Sequence, residues 1–202
     1  MTTKTKVLVS GFEPFGGAKL NPSELLVHEL KKIEFSDIEL STIVLPVEFD
    51  RAAEILLHTI KQVKPAVVIA FGQAEGRTAI TPEKIAINLD DARIPDNSGD
   101  HRENKIIDEN GPAAFFSTLP VEKIVESIKE EGVAASLSLS AGSFVCNHLF
   151  YVIQRALEGS KIKFGFIHVP LISEQSTEFP GQPTMDLALL IQGARAAIHR
   201  AL

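Results

Sequence analysis

Residues 66–72 read "AVVIAFG". The run is apolar up to Gly72 and rich in β-branched and aromatic residues. A strand with one face in water alternates between apolar and polar residues. A strand without alternation is covered on both faces, as parallel strands between helices are. Residues 66–72 therefore predict an internal parallel strand. The flanking segments supply what such a strand needs: "DRAAEILLHTIKQV" (50–63) precedes it with helical periodicity, and "KVLVSGF" (6–12) is a second buried strand ending in a Gly-rich turn.

The same alternation continues along the chain. "NPSELLVHELKKI" (21–33) predicts a helix, with Asn21 as cap, Pro22 at the first position, Glu24 in the first turn and Leu25, Leu26 and Leu30 buried. "IELSTIVLPV" (38–47) predicts a strand stopped by Pro46. Around Pro82 the pattern is irregular and reads as a short antiparallel excursion followed by a long loop. Further on come a helix (121–132) ended by Gly132, a strand "AASLSLS" (134–140), a helix (143–159) capped by Ser143 and stopped by Gly159, a strand "FGFIHVP" (164–170) and a last helix (184–202). Strands separated by helices predict an α/β fold: a three-layer α/β/α sandwich around a mostly parallel twisted sheet. No repeat, low-complexity segment or linker interrupts residues 1–202, which read as one domain.

Composition fits this. Of 202 residues, 45% are hydrophobic and 23% charged, with a net charge of -6. No basic run points to nucleic acid. The apolar runs are far shorter than the roughly 20 residues of a membrane span. The N-terminal "MTTKTKVLVSGF" meets Gly11, Glu13 and Pro14 too early for a signal peptide. The single cysteine, Cys146, forms no internal disulfide, and a cytoplasmic location is expected.

Sites in open parallel sheets gather at the carboxyl ends of the strands, here the segments after Val9, Ile69, Leu139 and Ile167. The first, "GFEPFGG" (11–17), has no lysine for a phosphate loop; its Phe12 and Phe15 are either core residues or the apolar wall of a small flat ligand. The second, from Gln73, leads to Glu83, by itself an ordinary surface residue. The third, "SAGSFVCNHLFY" (140–151), starts a helix with Cys146 in its first turn. There the helix N-terminus favours a thiolate below the usual pKa of about 8.5, and free backbone N–H groups suit an oxyanion; a buried structural cysteine is the plain alternative. The fourth holds His168, singly a core histidine. His148 lies two residues past Cys146, roughly 200° around a helix, and should face away. Together Glu83, Cys146 and His168 make an orienter, a nucleophile and a base. No H-E-x-x-H, C-x-x-C or G-x-S-x-G is present, which disfavours a metal site and a serine hydrolase.

Nearly the whole chain resembles the type I pyroglutamyl peptidases, a family of cysteine peptidases. The resemblance rests on "GFEPFGG", "NPS", "GQAEGRTAITPEKIAINLDDARIPDN", "NGPAAFFSTLP", "SAGSFVCNHLFY" and "GFIHVPLISEQ". It implies removal of an N-terminal pyroglutamyl residue from peptides, a cytoplasmic homotetramer and no cofactor. It implies Cys146, His168 and Glu83 as catalytic residues and Arg93 near the oxyanion. It also implies a ring pocket of Phe12, Phe15, Gln73, Ile94, Phe144 and Val145, with Asn21 close by. The segment after "ISEQ" is short here, in a region where the family varies. A module that merely binds cyclic amides, needing the phenylalanines but not Cys146, and a nucleoside phosphorylase-like enzyme, needing a phosphate site, are the rival readings.

Overall fold

The computed structural model describes residues 4–202; Met1–Thr3, part of the N-terminal reading above, lie outside the described residues. Among the described residues the elements run β1 (Thr5–Phe12), α1 (Pro22–Leu30), β2 (Ile38–Leu45), α2 (Phe49–Val63), β3 (Val67–Gln73), β4 (Thr81–Pro82), β5 (Ile85–Ile87), β6 (Ala114–Phe116), α3 (Val121–Glu130), α4 (Val145–Ala156), β7 (Lys163–Val169) and α5 (Leu187–Ala201). The main sheet has the order β2-β1-β3-β7-β4. Its first four strands are parallel, and β4 pairs antiparallel with β7 through Thr81–His168 and Pro82–Ile167.

The period of two along each strand sorts the core into two halves. Val7, Val9, Val67, Ile69, Phe71, Ile167 and Val169 pack with α1, α3 and α5. Leu8, Val68, Ala70, Phe164 and Phe166 pack with α2 and α4. This is the expected three-layer sandwich. His168 continues the series Phe164, Phe166, and Gly72 the series Val68, Ala70, so both face α4.

Several local expectations need correction. The predicted strand at 134–140 makes only isolated parallel bridges, Ile80–Ala135 and Glu83–Ser138, because β4 beside it is only two residues long. The long loop after Pro82 pairs with itself at a distance, β5 with β6, as a small antiparallel sheet. In α1 the fully buried apolar residues are Leu26, Val27 and Leu30; Leu25 packs at the edge, since the buried stripe follows positions three and four apart. Asn21 caps α1 as expected, accepting from Ser23 N–H at 3.0 Å. Ser143 does not cap α4. The cap is Phe144, without a side-chain bond, and the Ser143 hydroxyl instead donates to the carbonyl of Asp91 at 2.7 Å. No helix among the described residues is long and apolar enough to cross a membrane.

Candidate active site

Strand β1 joins β2 through α1, and α2 then carries the chain back past β1 to β3, so the strand order reverses between β1 and β3. Ligand crevices in such sheets form at this reversal. Here the pairing of β1 with β3 stops at Ser10–Ala70, although β1 runs on to Phe12 and β3 to Gln73. A narrow pocket opens between the two tips. Its walls are Phe12, Phe15, Val47, Phe144 and Val145, its polar groups belong to Asn21 and Gln73, and Cys146 lies in it.

Cys146 is the second residue of α4, in the first turn as expected. That turn is fastened from outside. Asn147, fully buried, accepts from Ile87 N–H at 2.9 Å and donates to the carbonyls of Ile87 and Leu89 at 2.9 and 3.0 Å. Asp91 N–H donates to Ser143 O at 2.9 Å. The first-turn N–H groups are left without a capping side chain.

Beneath the thiol lies Gly72. A Cβ built there would sit 3.0 Å from Cys146 Sγ and 2.7 Å from Phe166 Cζ, so only glycine leaves room for the sulfur. Gly72 is the register partner of His168 on β7. Neighbouring strands are about 4.8 Å apart, so the thiol and the imidazole stand over adjacent strands on one face. His168 Nδ1–H donates to Glu83 Oε1 at 2.8 Å, which leaves Nε2 as its proton-accepting atom. Glu83, no surface residue, is completely buried.

Burial pushes the Cys146 thiol up to about 12, and the Glu83 carboxylate adds to this; a bond from its own backbone N–H opposes them. The residue is only partly covered from solvent, and the pocket it lies in is walled mainly by apolar side chains. Burial thus works against the thiolate that the helix start was expected to favour.

Asn21 is almost entirely buried; its Oδ1 accepts from Ser23 N–H and Oγ–H, and one Nδ2–H donates to Glu13 O at 2.9 Å. Gln175, also buried, donates to Leu20 O at 3.2 Å and to Gln73 Oε1 at 3.0 Å, and accepts from Ile172 N–H at 3.1 Å. It pins the ends of three loops behind the pocket. Arg93 and Ile94 do not line the pocket. They lie in a strap over its rim that runs from Asp91, bonded to Ser143, to Asn97, whose N–H donates to Val47 O at 2.9 Å and whose side chain donates to Glu13 and Pro14. Arg93 is exposed, and Ile94 reaches toward Gly16.

His148 faces away from the thiol. It is buried against Asp90, with Nδ1 2.9 Å from Oδ2, and Nε2 lies 3.2 Å from Asp50 Oδ1 without a well-aimed bond. Arg102 joins Asp50, Asp90 and Asp100 and stacks 4.4 Å over the Phe49 ring. This network was not foreseen, and neither were Gly72, Asn147, Val47 or Gln175. Of these, Gly72 alone carried a signal, a glycine ending an apolar strand.

The model of the family described as "Pyroglutamyl peptidase" matches residues 5–202. The chain belongs to the pyroglutamyl peptidase family. The family comprises cysteine peptidases, so the chain is a hydrolase of the pyroglutamyl peptidase I type. A family relative, the pyrrolidone-carboxylate peptidase of Bacillus thuringiensis (strain Al Hakam), is 43% identical over 195 residues, covering 96% of this chain and 91% of the relative. Pyroglutamyl peptidase I of Bacillus amyloliquefaciens superposes with a TM-score of 0.94 at 40% identity, covering 98% and 97% of the two chains. A mutant pyrrolidone carboxyl peptidase of the hyperthermophile Pyrococcus furiosus superposes with a TM-score of 0.92 at 42% identity, covering 98% of each chain.

Proposed function

We propose that this peptidase removes N-terminal pyroglutamate from peptides through Cys146 as nucleophile, His168 as base and Glu83 as its orienting carboxylate. The observation that carries the reading is the Glu83–His168 bond of 2.8 Å on the strand beside the one that supports the Cys146 sulfur. His168 Nε2 takes the thiol proton as sulfur attacks the carbonyl that joins pyroglutamate to the next residue. The C–N bond breaks as His168 returns that proton to the leaving amine, and a thioester to Cys146 remains. Water, activated by the same imidazole, then cleaves the thioester to pyroglutamic acid and free thiol. The oxyanion is stabilised by the backbone N–H of Cys146 and, if the rim strap closes over bound substrate, by Arg93.

Pyroglutamate is a neutral lactam with no free amine. The walls of Phe12, Phe15, Val47, Phe144 and Val145 suit its ring, and no charged side chain is among the pocket's lining residues. Open-chain glutamate would bring charges that such a pocket cannot solvate. Because Asn21 Oδ1 and one of its Nδ2–H groups are already bonded, the main chain of Gln73, on the edge of β3 that β1 leaves unpaired, is our choice for pairing with the lactam. We further propose one domain over residues 1–202, a homotetramer and a cytoplasmic location, on the strength of the family resemblance.

Turnover of pyroglutamyl-β-naphthylamide, measured beside the prolyl and glutamyl analogues with and without iodoacetamide, tests the reading. Hydrolysis confined to the pyroglutamyl compound and abolished by alkylation is expected. Turnover that survives alkylation would exclude Cys146 as nucleophile.

A further inference from the structure

The two carboxylate oxygens of Glu83 are unequally used. Oε1 accepts from His168 Nδ1 at 2.8 Å and also from Arg77 Nη2 at 3.1 Å. Oε2 is buried and finds no donor among the described residues. A buried carboxylate held this sparsely is costly unless a cation balances it. Arg77, from the turn between β3 and β4, is such a cation, with 27% of its side chain exposed against 0% for Glu83. The same Nη2 donates to Ser140 O at 3.1 Å, on the segment that leads into the Cys146 turn.

We propose that Arg77 is a positioning residue of this active site: it fixes Glu83 and balances its charge, so that the Glu83–His168 pair takes its proton from Cys146 rather than from solvent. The inference rests on the triad proposed above.

The charge count explains the effect. With Arg77 in place, an ionised Glu83 beside a neutral imidazole is already balanced. Without it, a buried carboxylate is left alone with the imidazole, and uptake of a solvent proton relieves that charge whichever of the two keeps it. An occupied pair cannot accept the thiol proton, so activity must begin at higher pH. The other groups around the pair do not replace Arg77. Cys146 from α4 brings no positive charge, its thiol being pushed up by burial, the Phe166 ring of β7 lies 4.8 Å from the His168 ring, Gly72 of β3 has no side chain, and Thr81 of β4 reaches only the His168 carbonyl. Lys84, between β4 and β5, is paired with Glu122.

Cys146 is the only cysteine, so its alkylation by iodoacetamide reports this proton balance without any substrate. The rate should be followed from acid to mildly alkaline pH for the wild type, Arg77→Gln, Arg77→Lys and Arg77→Met, the last keeping the apolar stem should the glutamine variant fold poorly. Alongside it, kcat/KM should be measured on pyroglutamyl-β-naphthylamide. The acid limb of both profiles should move up by about one pH unit in Arg77→Gln and Arg77→Met, the lower end of the effect of a nearby opposite charge, and stay near the wild-type position in Arg77→Lys. At a fixed pH below the limb the neutral variants should react about tenfold more slowly. Superimposed limbs, even with a lower Tm, would overturn the inference and leave Arg77 as a tie to Ser140. So would a lysine variant that shifts as far as the glutamine one. If the wild type released no pyroglutamate, the proposed function would fail, while the alkylation profiles would still decide the role of Arg77.

Discussion

Gly72 and His168 stand side by side on paired strands, one leaving the space that the Cys146 sulfur fills and the other presenting the imidazole. The strand register, more than the helix start, sets how close the proposed nucleophile Cys146 stands to the proposed base His168. Gly72→Ala would press a methyl group against Phe166 and the sulfur. We expect a stability loss of about 1–3 kcal/mol from overpacking. We also expect a fall in kcat/KM of about 10²-fold, the effect of a displacement near 1 Å. Thermal melts and steady-state kinetics check both; a destabilised variant with undiminished kcat would show that the sulfur is not seated where we place it.

The raised thiol makes a prediction about pH. An acid whose pKa lies at about 12 stays protonated through neutral pH, and its ionised fraction climbs with pH all the way to that value. In His168→Ala, where no base remains, alkylation of Cys146 should therefore keep rising without a plateau into strongly alkaline solution. In the wild type it should level off much earlier, because His168 accepts the proton. Cys146→Ser should fold normally and lose turnover, since a hydroxyl is harder still to ionise. A plateau near neutrality in His168→Ala would contradict the buried, neutral thiol.

His168 and His148 should separate cleanly. His168→Ala is expected to lower kcat/KM by at least about 10²-fold with a modest change in Tm, as loss of a general base does. His148→Ala leaves buried Asp90 without its imidazole partner, and should cost about 1–3 kcal/mol of stability with kcat largely kept. Chemical denaturation and kinetics on both variants test this, and the reverse ranking would move the base to the other histidine.

Phe12 and Phe15 differ in the structure. Phe12 is 2% exposed and packs on Phe166 at 6.2 Å between ring centroids, whereas Phe15 is half-buried and sits 6.0 Å from Phe144. Phe12→Ala should mainly destabilise, by about 3–5 kcal/mol. Phe15→Ala should mainly weaken binding of 2-pyrrolidone, by about 1–3 kcal/mol, with little change in Tm. Unaltered Ki values in the Phe15 variant would remove that ring from the ligand wall.

What could be read from the sequence was what periodicity and local chemistry encode. The apolar runs of β1, β3 and β7, the Asn21-Pro22 helix start and the placing of Cys146 in the first turn of a helix and of His168 near the end of a strand were legible, whereas the burial of Glu83 was not. The 134–140 segment shows the limit, because its alternating serines and leucines look like a strand, yet strand character depends on a neighbour, and β4 offers two residues. The β5–β6 pairing joins segments far apart in the chain. Asn147, Arg77 and Gln175 are polar residues in unremarked positions, given meaning only by carbonyls and carboxylates that the fold brings to them. That His148 faces away from Cys146 follows from helix geometry, but nothing local announces its partner Asp90, which lies 58 residues away.

Gln175 has a consequence for how this enzyme can be altered. Its amide ties the end of the β1–α1 loop, the tip of β3 and the turn after β7 together immediately before the chain enters the Pro/Gly-punctuated segment at 176–184. Beyond that tie Thr177, Glu178, Pro180 and Gly181 are exposed, while Gln182 turns back toward Gly76. That makes Pro180 and Gly181 the natural port for an inserted tag, dye or tether.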